Sequence, residues 1–218
     1  MHSPSDPSRL PLAAVLAGGA SRRFGSPKAL ARVGGARVVE RVARAARGAL
    51  PEVVLVANRP EWFAELGLPT RPDTLPGQGA LGGIHAALRW AREEGRPGAL
   101  CLACDMPFLA PGLLRALVER AAATGAEVVA PESAGRRGVE PLCAVYSVVC
   151  LPTVEAMLAA GERRMMELLE QVRTDRLPLE EVRRWGDPAT LFLNVNTPDD
   201  HRRALEIAAN LEEDDATL

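Results

Sequence analysis

The chain lacks any apolar run near the ~20 residues that a membrane span demands, so no transmembrane helix is expected. It lacks a basic block as well. With a formal net charge of -2, and with Lys and Arg scattered over expected helices, it holds no general attraction for nucleic acid. The opening MHSPSDPSRLP has neither the basic stretch nor the apolar core of a secretory signal, which predicts a mobile tail over residues 1–11 and a cytoplasmic location. No Ser-His-Asp or Cys-His arrangement suggests nucleophilic catalysis. Cysteine is sparse: of Cys101, Cys104, Cys143 and Cys150, the first two form a C-x-x-C within GALCLACD. That stretch reads as a buried strand, where residues three apart face opposite ways, so core packing is expected rather than a zinc or redox site. A hydrophobic share of 47% over 218 residues suits one α/β domain with its own core.

Two common phosphate-binding fingerprints are also missing. The Walker pattern fails because five residues separate Gly19 from Gly25, and Lys28 follows Ser26 and Pro27. The dinucleotide G-x-G-x-x-G fails because Gly18 and Gly19 are adjacent and positions 20 and 23 are alanine and arginine. What stands there instead is Leu12 to Leu30, LAAVLAGGASRRFGSPKAL: an apolar segment of strand length, then two glycines, then Arg22, Arg23 and Lys28. Beside glycine the backbone amides can turn toward phosphate oxygens, and the three cations add positive charge, so this is a loop for a phosphorylated ligand.

Downstream the periodicity alternates. Val38–Arg47 carries a helical stripe stopped by Gly48; Val53 to Ala57 is a buried strand with Asn58 at its end, where open α/β sheets place ligand contacts. A short helix near Glu61–Leu66 leads to Asp73 after a short strand. Pro76, Gly77 and Gly79 then form a loop able to close over a base or ribose, before a helix striped by Leu81, Ile84, His85, Leu88 and Ala91. His85 reads as a partly buried structural histidine. A strand from Gly98 ends in Asp105 at the carboxyl edge of the sheet, Pro111 opens a helix closed by Gly125, and Ala126 to Pro131 is the next strand. Such β-α repetition demands a parallel sheet. Leu142 to Val149 returns after a short loop, which suggests an antiparallel or edge insertion. Helices follow around Val154–Leu158 and Met165–Val172, with Arg163 and Arg164 at the start of the second. Leu191 to Val195 reads as a last strand before a helix capped by Thr197, and residues 211–218 as a frayed acidic end.

Leu16, Ala17, Gly18, Gly19, Ser21, Arg23, Gly25 and Lys28 match the L-A-G-G-x-S-x-R-x-G-x-x-K opening of nucleotidyltransferases, and the chain most closely resembles the molybdenum cofactor guanylyltransferases. Three further segments are similar to that family: the glycine-rich one at Gly77, Gly79, Leu81, Gly83 and Ile84; C-D-M-P-F-L at Asp105; and N-V-N-T-P at Asn196. Ala80 stands where the family more often has proline. Glu140, Pro141, Leu142 and Tyr146 resemble the family's Pro-Leu-x-x-x-Y segment, with Glu140 where some members have histidine.

The resemblance implies a single Rossmann-like nucleotidyltransferase domain over residues 12–210, with a mostly parallel sheet, an antiparallel insertion and helices on both faces. It implies transfer of GMP from GTP to the terminal phosphate of molybdenum-molybdopterin, with pyrophosphate leaving. Nucleotide binding falls to Leu16, Ala17, Gly18, Gly19, Lys28, Asn58, Asp73, Gly79 and Asp105. Lys28 with Arg22 or Arg23 is assigned to the leaving pyrophosphate, Asp105 and Asn196 to a Mg²⁺, and Glu140, Tyr146 and Arg163 to the acceptor. The Leu-Ala-Gly-Gly form favours guanylyl over cytidylyl transfer. Cofactor-delivery proteins and a monomer or weak oligomer are expected. A nucleotidyltransferase for another acceptor or base, and a non-catalytic nucleotide-binding regulator, are the competing readings.

Overall fold

The computed structural model describes residues 9–18, 28–75 and 77–216. The chain opens with β1 (Leu12–Leu16), buried on both faces as an apolar run demands, and Lys28–Leu30 form a single 3-10 turn. A small antiparallel hairpin of β2 (Arg32–Val33) and β3 (Ala36–Arg37) leads directly into α1 (Val38–Arg47). Glu40 anchors that helix start by accepting the Arg37 backbone N–H at 2.7 Å, as a first-turn acid does. There follow β4 (Val53–Val56), a 3-10 stretch at Pro60–Leu66, β5 (Thr70–Arg71), α2 (Gly79–Glu93), β6 (Gly98–Ala103) and α3 (Pro111–Thr124). The second half runs β7 (Val128–Pro131), β8 (Cys143–Ser147), α4 (Leu151–Ala159), α5 (Met165–Gln171), β9 (Thr174–Leu177), α6 (Leu179–Val182), α7 (Pro188–Leu191) and α8 (Pro198–Ala216).

Seven strands form one sheet in the order β5-β4-β1-β6-β8-β7-β9. Every pair is parallel except those of β8, which runs antiparallel to both β6 and β7. From β1 the chain first builds outward through β4 to β5, then crosses to the other side of β1 to lay down β6. The strand order therefore reverses at β1 and β6, and the carboxyl ends of these strands bound a crevice of the kind that binds ligands in open α/β sheets. One face of the sheet is covered by α1 and α3, whose Val39, Val42, Leu113, Leu114 and Leu117 pack on Val15 and Leu100. The other is covered by α2, α4 and α5 through Ile84, Leu88, Val154 and Leu168, packed on Ala14 and Cys101. Each large apolar side chain so buried contributes about 1.5–3 kcal/mol, which is what holds the three layers together.

The expected α/β class and the helices on both faces stand, and several details differ. Of the antiparallel or edge insertion expected after residue 132, the antiparallel alternative is what forms: β8 sits inside the sheet, between β6 and β7. Leu191–Val195 is not a strand. Asp187 caps a single helical turn by accepting from the Thr190 N–H at 3.2 Å, and both edges of β6 are already taken by β1 and β8, so no ladder is open to this run. Its first three N–H groups close back on that helical turn, the Val195 N–H reaches the Asp105 carbonyl at 2.9 Å, and Leu193 and Val195 are buried against Phe108, Ala204 and Ala208. The seventh strand, β9, was not expected; its Thr174, Asp175 and Arg176 carry no apolar run, and it is placed by pairing with β7 and by Arg120, which donates to both Asp175 oxygens at 2.8 and 3.0 Å. Helix α8 runs on through the acidic stretch as far as Ala216, since each added helical residue gains a backbone bond once the helix is nucleated. Its start is as expected: the Thr197 hydroxyl accepts from the Asp200 N–H at 3.1 Å and Asp200 accepts from the Thr197 N–H at 2.8 Å.

Among the described residues no helix is long and apolar enough to cross a membrane. All four cysteines are buried free thiols. Cys101 faces the α2 side and Cys104 the α1 side, and burial pushes the Cys101 and Cys143 thiols up and Cys150 to about 12, so these three remain neutral packing groups.

Candidate active site

The strand ends at the carboxyl edge are stitched to one another by backbone hydrogen bonds. The Ala17 N–H donates to Val56, Ala57 to Arg71, Cys104 to Leu16 and Ala103 to Leu142, at 2.8, 3.0, 3.2 and 2.8 Å. Residues just past those ends are thereby held together around a cleft of about 180 Å³. Its floor is Leu16, Val56, Ala103 and Leu142; its polar rim is Gly18, Asp73, Gly79, Asp105 and Asn194. Gly18 is exposed, and its backbone faces the crevice where the strand order reverses.

Asp73 is held from three directions. Asn58, at the end of β4, accepts the Asp73 backbone N–H through Oδ1 at 2.9 Å, and the Asp73 carboxylate accepts the Leu75 N–H at 2.9 Å in a turn closed by its own side chain. Behind it stands Gly82 of α2, where an added Cβ would lie 2.9 Å from Asp73 Oδ2 and 2.9 Å from Gln78 Cβ. Only a glycine lets the helix and this loop approach so closely. The carboxyl is 7% exposed; burial raises its pKa above the ordinary 3.8, against the opposing pull of the Leu75 N–H and of His85. Gly79 opens α2 at φ +66°, a left-handed turn that aims the helix start at the cleft.

Asp105 is equally buried, and its backbone carbonyl accepts from Val195, which draws the N-V-N segment to the sheet edge. Asn194 enters the cleft, and its Nδ2 donates to the Phe192 carbonyl at 3.0 Å, so the amide oxygen is the atom that can take a cation. Asn196 is exposed, and its backbone N–H donates to Asp200 at 3.0 Å. Asn194 is therefore the site residue that sequence reasoning passed over. The available signal was the N-V-N spacing, since residues two apart on an extended chain lie on one side. A carboxylate and an amide oxygen are hard donors suited to Mg²⁺. Among the described residues no group of three or more His, Cys, Asp or Glu comes together.

Of the remaining candidates, Leu16, Ala17 and Gly18 lie at the end of β1 as expected, and Lys28 opens the 3-10 turn; Gly19, Arg22 and Arg23 lie outside the described residues. Glu140 is half-buried just before Leu142, whose N–H it accepts at 3.2 Å. Burial pushes its carboxyl up, Arg137 pulls it down, and Asp105 raises it again, which places two carboxylates within electrostatic reach at the cleft. Tyr146 is fully buried and its hydroxyl donates to the Pro141 carbonyl at 2.7 Å, fixing the Glu140-Pro141-Leu142 turn from inside. Arg163 is held at the cleft's approach: its Nε donates to Gln78 Oε1 at 2.6 Å, on the loop that leads into Gly79.

The family described as MobA-like NTP transferase domain matches residues 13–176. A Pelotomaculum thermopropionicum protein named "Probable molybdenum cofactor guanylyltransferase" is 38% identical over 196 residues, covering 90% of this chain and 92% of its own. A Desulfosudis oleivorans protein named "Molybdenum cofactor guanylyltransferase" is 32% identical over 191 residues, with 87% and 92% covered. Among solved structures, the molybdopterin-guanine dinucleotide biosynthesis protein A of Archaeoglobus fulgidus superposes with a TM-score of 0.77 at 29% identity, over 91% of this chain and 98% of that one.

Proposed function

This chain belongs to the family of MobA-like NTP transferase domains, and we propose that within it the chain transfers GMP from GTP to the terminal phosphate of molybdenum-bearing molybdopterin. An acceptor phosphate oxygen bonds to the α-phosphorus, the bond from that phosphorus to the β-phosphate oxygen breaks, and pyrophosphate leaves with the electron pair. The attacking phosphate is already an anion, so positioning and charge stabilisation are the main tasks and no strong base is required.

The observation that carries this reading is that one cleft gathers Gly18, Asp73, Gly79, Asp105 and Asn194 at the crevice between β1 and β6. Asp73, anchored by Asn58, presents a carboxylate that accepts from the guanine N1–H and 2-amino group together. Cytosine offers a single donor beside a ring acceptor, so the same carboxylate disfavours it. Gly18 and Gly19 bring backbone amides to the phosphates, with Leu16 and Ala17 setting their approach, and Gly79 turns the α2 start toward the sugar. Lys28, assisted by Arg22 or Arg23, stabilises the departing pyrophosphate. Asp105 with Asn194 and Asn196 would hold Mg²⁺, which when bound supplies positive charge to offset that developing on phosphate oxygens. Glu140, on its turn beside Asp105, faces the acceptor side.

Both substrates are water-borne, in keeping with a cytoplasmic site of action and with hand-over of the product by delivery proteins. The test measures pyrophosphate release in Mg²⁺ with GTP, CTP and a panel of acceptors, together with the melting temperature in each nucleotide. Release with GTP and molybdopterin alone is expected; release with CTP, or with a sugar phosphate, overturns the base or the acceptor respectively.

A further inference from the structure

His85 is 4% exposed in the middle of the apolar stripe of α2, where an aliphatic side chain would pack without needing a polar partner. Its ring is used at both nitrogens. Nδ1 lies 3.2 Å from the Thr74 hydroxyl and Nε2 3.5 Å from a carboxylate oxygen of Glu155, on α4. With the Nε2 proton turned toward Glu155, Nδ1 is the acceptor and Thr74 donates. Thr74 is the residue between Asp73 and Leu75, that is, inside the turn that the Asp73 carboxylate closes on the Leu75 N–H. The turn is therefore pinned at entry by Asn58, at its centre by His85, and at exit by Asp73 itself.

We propose that His85 is a positioning residue for nucleotide recognition: by holding the Thr74 hydroxyl it fixes the turn that aims the Asp73 carboxylate into the cleft. The link is specific because, among the described residues, the Thr74 hydroxyl is bonded to His85 of α2, while the residue before it, Asp73, lines the cleft. Without that anchor the exposed Thr74–Leu75 segment is free to rotate about the Asp73 ψ, which withdraws the Leu75 N–H from the carboxylate and frees the Asp73 side chain to leave the rotamer that faces a base. The inference rests on the reading of Asp73 as the base-binding carboxylate, and it concerns the base end of the ligand alone, since the phosphates lie at Gly18 and Asp105.

Calorimetric titration of the intact protein in Mg²⁺ tests it, with GTP, CTP and inorganic pyrophosphate as probes, on Thr74→Val, His85→Leu and His85→Asn. Thr74→Val removes only a hydroxyl from an exposed residue, so it leaves the fold in place. Thr74→Val and His85→Leu are expected to weaken the preferred nucleoside triphosphate by about tenfold, as loss of one buried hydrogen bond to a positioning group does, and to leave pyrophosphate affinity within about twofold. His85→Asn places an amide near the former Nδ1 and is expected to restore most of the nucleotide affinity. Melting temperatures recorded alongside separate a packing role, which weakens both probes or neither. Unchanged nucleotide affinity in both Thr74→Val and His85→Leu overturns the proposal, as does an equal loss for pyrophosphate. Wild-type preference for CTP instead overturns the guanine assignment, and the variants are then compared with CTP.

Discussion

Gly82→Ala separates folding from recognition in one substitution. A Cβ at this position would sit 2.9 Å from Asp73 Oδ2 and from Gln78 Cβ, where ordinary contact begins near 3.4 Å, so the loop must withdraw by about half an ångström. Neither neighbour yields freely: the Asp73 carboxylate is tied to the Leu75 N–H at 2.9 Å, and Gln78 to Arg163 at 2.6 Å. Displacing Asp73 by that amount stretches its turn bond toward 3.4 Å and shifts the base-facing oxygen equally. Hydrogen bonds to a charged group are worth about 1.5–3 kcal/mol, so a substantial share of one bond lost on binding corresponds to roughly a tenfold rise in KM for GTP. Within α2, alanine is favoured over glycine by about 0.5–1 kcal/mol, which opposes the local strain and keeps global stability near the parent value. Steady-state pyrophosphate release against GTP concentration, with urea unfolding on the same preparation, reads both quantities. A variant with parent KM and parent kcat would refute the claim that the α2–loop contact sets the nucleotide pocket.

Asp105→Ala is expected to lower pyrophosphate release by about 10²–10³-fold with the fold intact, because only the backbone of Asp105 joins the Val195 bond; circular dichroism and the release assay check both halves. Lys28 is the one lysine in the sequence, so Lys28→Ala is expected to cut kcat by about 10²-fold, and GTP should protect its amine from acetylation in the parent protein, read by peptide mass. Glu140→Gln tests burial. The native state holds the Glu140 proton more tightly than an unfolded chain with a pKa near 4.5, so stability falls as pH rises from that value through the raised native one. Gln, which keeps an acceptor for the Leu142 N–H, should remove that decline in urea midpoints taken from pH 5 to pH 8. Asp73→Asn is expected to abolish the acid limb of GTP affinity. The parent carboxylate must be ionised to accept from the base, and its raised pKa makes affinity fall on acidification sooner than for an ordinary aspartate.

What was legible in the sequence was whatever burial alone decides. Leu12–Leu16, Val53–Val56 and Gly98–Ala103 are apolar at every position, and so short an apolar run bounded by turn residues suits a strand covered on both faces. Because the sheet is parallel there, each of these strands ends at the same edge, so Gly18, Asn58 and Asp105 were already three points of one site before their separation in space was known. What failed was whatever depends on vacancy. Leu191–Val195 has strand composition, but a strand needs a free neighbour, and β6 had none to give; Thr174–Leu177 has little strand composition, but β7 had an open edge. Composition speaks for what a segment can bury, and pairing depends on what its neighbours have left unpaired.

The same distinction explains the site. Asp105 and Asp73 could be found because each is a lone acid following a strand, whereas Asn194 had only the N-V-N spacing to mark it and is brought to the cleft by the bond from Val195 to the Asp105 carbonyl. Tyr146 matches a family segment as well, and it is wholly buried with its hydroxyl donating to the Pro141 carbonyl. That bond ties it to the Glu140 turn. Tyr146→Phe ought therefore to act through that turn: it should lower stability by about 1 kcal/mol, the worth of one buried hydrogen bond, with the orphaned Pro141 carbonyl adding to the loss. Its effect on kcat should appear only through the position of Glu140, so combining Tyr146→Phe with Glu140→Gln should cost no more activity than Glu140→Gln alone. A double variant whose losses simply multiply would put the Tyr146 hydroxyl at the ligand after all.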